Sequence, residues 1–403
     1  MKLFSMKIAA RFLLIVLPVF CIIGQPYAQN HDTTKAVKVA VFIPMYADEV
    51  FDGGTYILDK ANLPKTVLPG LEFYNGVMMA VDSLNAEGAK LEISIYDTKQ
   101  ANRPLSTLLK SVELNNTGLM IAAITNTAEL KLFSDQALNK NIPLISATYP
   151  NYLGVVGNPF FTVLNSSFQA HLQGLYKHMQ RYYSSHNIIA ITKKGGPAED
   201  YVKTYLTNLN KSTRSQPLKI KWATIDEARV NITELKNNLD STKNNIVFVA
   251  APAESFGLKV IQALNNATSY RITAIGMPTW DNLKELDKES CANVEIVFST
   301  PFLYYSQNPG LSSLVNRRYQ ETYYSRPSDM VFRGFEITYH FSKLLMKHKS
   351  NLVNNLTDKS FTLFNEFLLE PVKLKATSTR PDFLENKKLY FIKKQAGNVK
   401  SII

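Results

Sequence analysis

The residues best suited to hold a small polar ligand lie just after short apolar runs. Thr125, Asn126 and Thr127 follow the run 119–124, and Ser146, Thr148 and Tyr149 follow the run 142–145. Their hydroxyls and amide, with nearby backbone N–H groups, suit an anion. A helix starting near Thr127 or Ala128 leaves its first N–H groups unbonded and points its positive end outward. The same side chains also suit capping, in which Asn126 or Thr127 accepts from those N–H groups. Tyr149 can stack on a ligand or pack at a rim. Glu254 follows the run 246–250, where a helix N-terminus favours a carboxylate. Trp280 lies in the loop 276–281 and can cover a cleft, and Lys193 and Lys194 offer cations after the run 187–192. Tyr46, Asp48 and Glu49 close the opening run, and a long insertion, 51–65, follows; such a loop either is functional, lying over the cleft, or is a flexible surface excursion.

The chemistry these residues suggest is binding rather than catalysis. The sequence has no G-x-S-x-G, S-x-x-K, Walker A, G-x-G-x-x-G or H-E-x-x-H pattern. Its cysteines, Cys21 and Cys291, have no metal-ligand spacing. His171 and His178 lie two turns apart on one helix, whereas ligands on consecutive turns sit at i and i+4. No enzyme activity, cofactor or metal is expected.

The elements that must position these loops alternate in type. Residues 37–46, apolar but for Lys38, read as a strand of the buried kind. Residues 68–88 carry apolar residues at helical spacing, with Pro69 in the first turn and Gly88 at the stop. Strands at 91–96, 119–124 and 142–145 alternate with helices at 105–114 and 128–139. Such a series predicts a mostly parallel, doubly wound sheet. A fifth strand at 160–164 and a helix at 166–183 lead into a second series. Its strands fall at 187–192, 218–222, 246–250, 272–275 and 294–298, with helices at 198–209, 232–239 and 255–265. Two further helices are expected at 311–324 and 329–348, and a short strand at 388–393.

Length and charge narrow the class. Lys2, Lys7 and Arg11 precede an apolar stretch, 12–23, and Ala28–Gln29 offers a cleavage point; residues 1–28 read as a signal peptide. The stretch is short of the roughly 20 apolar residues a membrane span needs. The remaining chain is long enough for two domains at about 150 residues each. Net charge is +12 in full. Between 373 and 400, eight Lys and Arg face only Asp382 and Glu385. Export argues against nucleic acid as a partner; the positive excess suits a soluble surface or an acidic envelope partner. Cys21 leaves with the signal, so Cys291 has no disulfide partner in the chain.

The opening strand, the helix 70–85 and the next strand ending in Asp97 resemble type I periplasmic solute-binding proteins, best known as the branched-chain amino acid (Leu/Ile/Val) receptors of ABC transporters. Ile142-Pro-Leu-Ile-Ser-Ala-Thr148 resembles that family's I-P-x-I-S-x-x-x-T segment, with the threonine earlier. Tyr319 to Pro327 followed by Phe335-Glu-Ile-Thr-Tyr339 resembles its paired C-terminal helices. The resemblance spans the mature chain. It implies an α/β fold of two doubly wound Rossmann-like lobes closing as a Venus flytrap and joined by about three crossings, near Leu164, Pro301 and Glu370. The expected lobes are 37–163 with 302–370, and 164–301 with 371–403. By the same resemblance, the loops bearing Thr125–Thr127 and Ser146–Tyr149 hold the carboxylate and amine of an amino acid, and Glu254 meets a ligand ammonium. The aromatic-Gly pair usual after the first strand of the second lobe is missing from 192–201. The implied function is capture of a small polar, amino-acid-like ligand for an inner-membrane ABC permease. The alternative is a non-transport envelope module of the same fold, a sensor or a peptidoglycan-associated regulator.

Overall fold

A computed structural model describes residues 36–58, 62–304 and 308–402. The expected signal peptide lies outside the described residues. In chain order the elements of the first half are β1 (Val37–Ile43), β2 (Phe51–Asp52), β3 (Thr55–Tyr56), α1 (Leu68–Ala86), β4 (Leu91–Asp97), α2 (Leu105–Leu108), β5 (Thr117–Ala122), α3 (Thr127–Lys140), β6 (Leu144–Ser146), β7 (Phe161–Val163) and α4 (Phe168–Tyr182). The second βα series is β8 (Asn187–Lys193), α5 (Pro197–Ser212), β9 (Ile220–Ile225), α6 (Ile232–Lys236), β10 (Asn244–Val249), α7 (Glu254–Asn265), β11 (Arg271–Ile275) and β12 (Glu295–Thr300). Then come α8 (Pro309–Tyr323), α9 (Asp329–His348), β13 (Leu369–Val372), β14 (Phe383–Asn386), β15 (Tyr390–Gln395) and β16 (Asn398–Ile402).

Among the described residues the strands form two seven-stranded sheets, β13-β14-β7-β6-β5-β1-β4 and β16-β15-β12-β11-β10-β8-β9. Each is parallel except at one edge, where β13 pairs antiparallel with β14, and β15 with β12 and β16. The expected doubly wound pair of sheets is therefore present. The central strands are apolar because helices cover both faces: Val39–Ile43 of β1 and Ile246–Val249 of β10 are buried. The small hairpin β2-β3 occupies the insertion after β1.

Helices α1 and α9 cross at glycines. A Cβ on Gly76 would fall 2.0 Å from the Val331 carbonyl oxygen, and one on Gly334 would fall 2.2 Å from that of Phe73. Only glycine allows backbones this close, and the contact fixes where α9 begins, at the mouth between the sheets.

The chain leaves the first sheet after β7, returns after β12 to place Phe302 and Tyr304 in the first core, and enters the second sheet again at β15. This last passage differs from the expected one at Glu370, and so corrects the placing of 371–386 in the second lobe. β13 and β14 remain on the first sheet. Phe383 is fully buried there, with its ring 4.6 Å from that of Tyr152. Asn386 and Glu385 tie β14 to the first passage: Asn386 Nδ2 donates to the Leu164 carbonyl at 3.1 Å, and Ser167 N–H donates to Glu385 at 2.9 Å. A four-residue strand with buried polar residues carries no periodic signal of its own. The expected helix 105–114 is also shorter: α2 stops at Leu108, and a single 3-10 turn follows at Val112–Leu114.

Candidate functional site

The loops at the carboxyl ends of the first sheet are knitted by their own charges. Asp97, at the end of β4, is buried and accepts four backbone N–H groups: Met45 at 3.0 Å, Tyr46 at 3.3 Å, Ala47 at 2.9 Å and Lys99 at 2.9 Å. After β5, Asn126 caps α3 by accepting from Glu129 N–H at 3.0 Å. The Glu129 carboxylate turns back into the loop. It accepts from Thr125 N–H at 3.0 Å and from the Thr125 hydroxyl at 2.8 Å, and it pairs with Lys99. Lys99 also donates to Thr125 Oγ1 at 3.1 Å. A backbone N–H, a hydroxyl and an ammonium form the carboxylate-binding set expected of this loop, and the carboxylate they meet is internal.

The other expected first-sheet residues separate. The hydroxyls of Thr127 and Tyr149 bond each other at 2.9 Å on the exposed rim. Thr148 donates to the Ile124 carbonyl at 2.8 Å, and its own carbonyl accepts from Asn165, so it braces two loops. Ser146 is fully buried, and its Oγ has no partner among the described residues.

In the second lobe, Glu254 is the exposed first residue of α7. Trp280 corrects the expectation of a cleft cover: its side chain is 0% exposed and belongs to the second core. The indole lies on two glycines; a Cβ at Gly276 would stand 2.0 Å from its Cε3 and one at Gly257 2.9 Å from its Nε1. Burial of so large an apolar surface outweighs a cleft position. Lys193 is taken up by Glu227 at 2.7 Å, and Lys259 approaches the same carboxylate at 3.1 Å; these two lysines hold the Glu227 carboxyl down at about 2.

A cavity of about 890 Å³ opens between the lobes, and none of the eight expected residues lines it. Its walls come from the start of α1 (Pro69, Glu72), the loop after β6 (Pro150), the first passage (Asn165, Ser166, Phe168, His171), the turn after β11 (Pro278, Thr279, Asp281), the second passage (Thr300, Pro301) and the start of α9 (Ser328, Asp329, Met330, Arg333). Ser328 donates to Glu72 at 2.7 Å, joining α9 to α1. Asp329 opens to the cavity yet is ringed by protein, and this burial raises its carboxyl against the pull of Arg333. Burial likewise raises Asp281, and the negative charge of Asp329 adds to it. Arg333 lies over the Phe302 ring at 4.0 Å, and its Nε makes no hydrogen bond among the described residues. His171 is buried with Nδ1 2.8 Å from Ser299 Oγ, and burial pushes it down to about 3, so it is neutral at pH 7. The sequence signal for this group was Asp329 and Arg333 at i and i+4, charges interrupting the apolar face of α9.

No group of His, Cys, Asp and Glu among the described residues is placed to hold a metal ion, and no helix among them is long and apolar enough to cross a membrane.

Solved structures of other proteins share this fold. A branched-chain amino acid ABC transporter protein from Rhodospirillum rubrum superposes with TM-score 0.64 at 13% identity, over 91% of this chain and 100% of that one. An ABC transporter substrate-binding protein from Desulfitobacterium hafniense gives TM-score 0.59 at 11% identity, over 91% and 100%. LivJ from Streptococcus pneumoniae, solved with isoleucine, gives 0.51 at 13% identity, over 91% and 99%. No family model matches the sequence, and no curated protein does. The chain thus has the fold of the type I periplasmic solute-binding proteins across nearly its whole length.

Proposed function

We propose that the protein is an exported solute-binding protein that takes a small polar, amino-acid-like ligand into the cavity between its lobes and delivers it to an inner-membrane ABC permease. The observation that carries this reading is the cavity itself. It is sized for a small molecule, sits where both lobes and two of their connections meet, and is lined by opposite charges. Ligand contacts to both lobes favour the closed arrangement, since a ligand shifts a two-state equilibrium by its differential affinity. Residues 1–28 direct export in this reading, to the periplasm.

The test is a thermal-shift panel of amino acids, sugars, short peptides and peptidoglycan fragments on the chain from Gln29 onward. A concentration-dependent rise in Tm for one small-molecule class supports the reading through mass action. A flat response to all of them overturns it.

A second reading, a non-transport envelope module, is favoured by one observation. A groove of about 530 Å³ beside the third passage is lined by Lys177, Arg181, Lys387 and Lys388, with Glu370 the acidic residue there. Under this reading the protein co-sediments with peptidoglycan sacculi in low salt, and replacing Lys177 and Lys388 by Glu abolishes that.

A further inference from the structure

We propose that the cavity ligand is an amine-bearing carboxylic acid of net positive charge, such as a basic amino acid, and that Arg333 holds its carboxylate. This rests on the solute-binding reading above and specifies its ligand class.

Three independent features lead there. The first-sheet loop that could receive a carboxylate already holds one: Thr125 N–H, Thr125 Oγ1 and Lys99 all serve Glu129. An incoming carboxylate would have to displace a buried, paired side chain. Arg333, by contrast, faces the cavity, and among the described residues it has no carboxylate in ion-pair range and its buried Nε makes no hydrogen bond. A guanidinium presents five donors in a planar fork that fits a carboxylate. Stacking on Phe302 fixes its plane, and the Tyr304 hydroxyl lies beside it, but neither supplies an anion.

The remaining charges set the rest of the ligand. Glu72, Asp281 and Asp329 line the same cavity as Arg333, while His171 is neutral. The walls therefore carry an excess of two negative charges once Arg333 is counted. Asp281 comes from the second lobe, and Asp329 and Glu72 from the first. Asp281 and Asp329 repel each other, and the pull of Arg333 on both and of Lys394 on Asp281 reaches them without forming a salt bridge among the described residues. A ligand with one carboxylate and two cationic nitrogens supplies the missing anion for Arg333 and cations for both lobes. Closure then brings the two aspartates onto the same ligand instead of onto each other.

Isothermal titration of the mature chain tests this with L-lysine, L-arginine, L-leucine and the decarboxylated partners cadaverine and agmatine. The expected order is L-lysine and L-arginine strongest, with their decarboxylated partners and L-leucine each at least about tenfold weaker, the scale of one charge-assisted hydrogen-bonded contact. Arg333→Gln should bring L-arginine to the affinity of agmatine, and Asp281→Asn should weaken both. Arg333→Lys keeps the charge without the fork and serves if Arg333→Gln fails to fold; it should lose most of the preference for the carboxylate. Binding of L-leucine but not of basic amino acids would overturn the ligand class and leave the solute-binding reading standing. A carboxylate preference that survives in the Arg333 variants would overturn the role of Arg333. No binding by any of these and a flat thermal-shift panel would overturn both.

Discussion

The two lobes share a sheet plan but finish their cleft edges with different physics. In the first, the loops after β1, β4 and β5 are held by buried charge: Asp97 gathers four N–H groups, and Lys99, Thr125 and Glu129 close on each other. In the second, the turn after β11 is held by Trp280 sunk into the core over Gly257 and Gly276. Polar residues in a post-strand loop are thus not by themselves a binding signature. In the first lobe they support the loop, and the groups left open to a ligand lie on the neighbouring helix α9.

The largest effect that separates the two designs should come from Asp97→Ala. It strands four N–H groups, and at about 1–3 kcal/mol for each unsatisfied group, part of it recovered by water, the loss should be about 5 kcal/mol in urea unfolding. Little or no loss would mean the loop does not depend on this carboxylate. Trp280→Ala should cost about 3–5 kcal/mol through the cavity it leaves, with no dependence on salt. Ligand affinity that fell far more than stability would return Trp280 to the cleft.

A titration comparison follows. Glu336 of α9 is fully buried and accepts from Phe364 N–H at 2.7 Å and from Asn365 N–H at 2.6 Å; burial nonetheless pushes it up to about 7. Its folded value lies above the unfolded one near 4.5, so the folded state holds the proton longer, and stability should fall as pH rises from about 4.5 to about 7. His171 runs the other way. Its folded value of about 3 lies below the unfolded 6.5, so stability should fall as pH drops from about 6.5 to about 3. Glu336→Gln should flatten the first slope and leave the second, as read from Tm across the pH range; a slope unchanged by it would assign the effect elsewhere.

Smaller effects sharpen the contrast. Glu129→Gln should cost about 2 kcal/mol, because it leaves the half-buried Lys99 without its partner, and Lys99→Met in the same chain should recover part of it. Glu254→Gln should change stability by less than about 0.5 kcal/mol, as expected of an exposed helix-terminal carboxylate. A loss of ligand affinity in that variant would instead give Glu254 a role in the cleft.

Much of the frame was legible because periodicity is a local property. Helix α9 falls at 329–348 as its spacing predicts, and β8 and β10 stand where continuous apolar runs do. Asn126 as a cap was readable from its place before a helix. The candidate site was less legible. Thr125 looked free because its partners Lys99 and Glu129 lie 26 and 4 residues away, and only the fold brings all three together. The strand β14 was missed because its pairing with β7 joins segments over 200 residues apart and uses buried polar side chains.

The alternation of strands and helices, the doubling of the βα series and the bounds of the long helix α9 could be read from spacing, since each depends on neighbours a few residues apart. Tertiary structure alone decided which polar groups are consumed and which remain. Glu129 reaches back into its own loop, Trp280 sinks onto two glycines, and the glycine crossing of α1 and α9 sets Arg333 and Asp329 at the mouth between the sheets. A side chain's availability depends on what the rest of the chain places within 3 Å of it, and contacts of that range are written in the packing of the whole molecule.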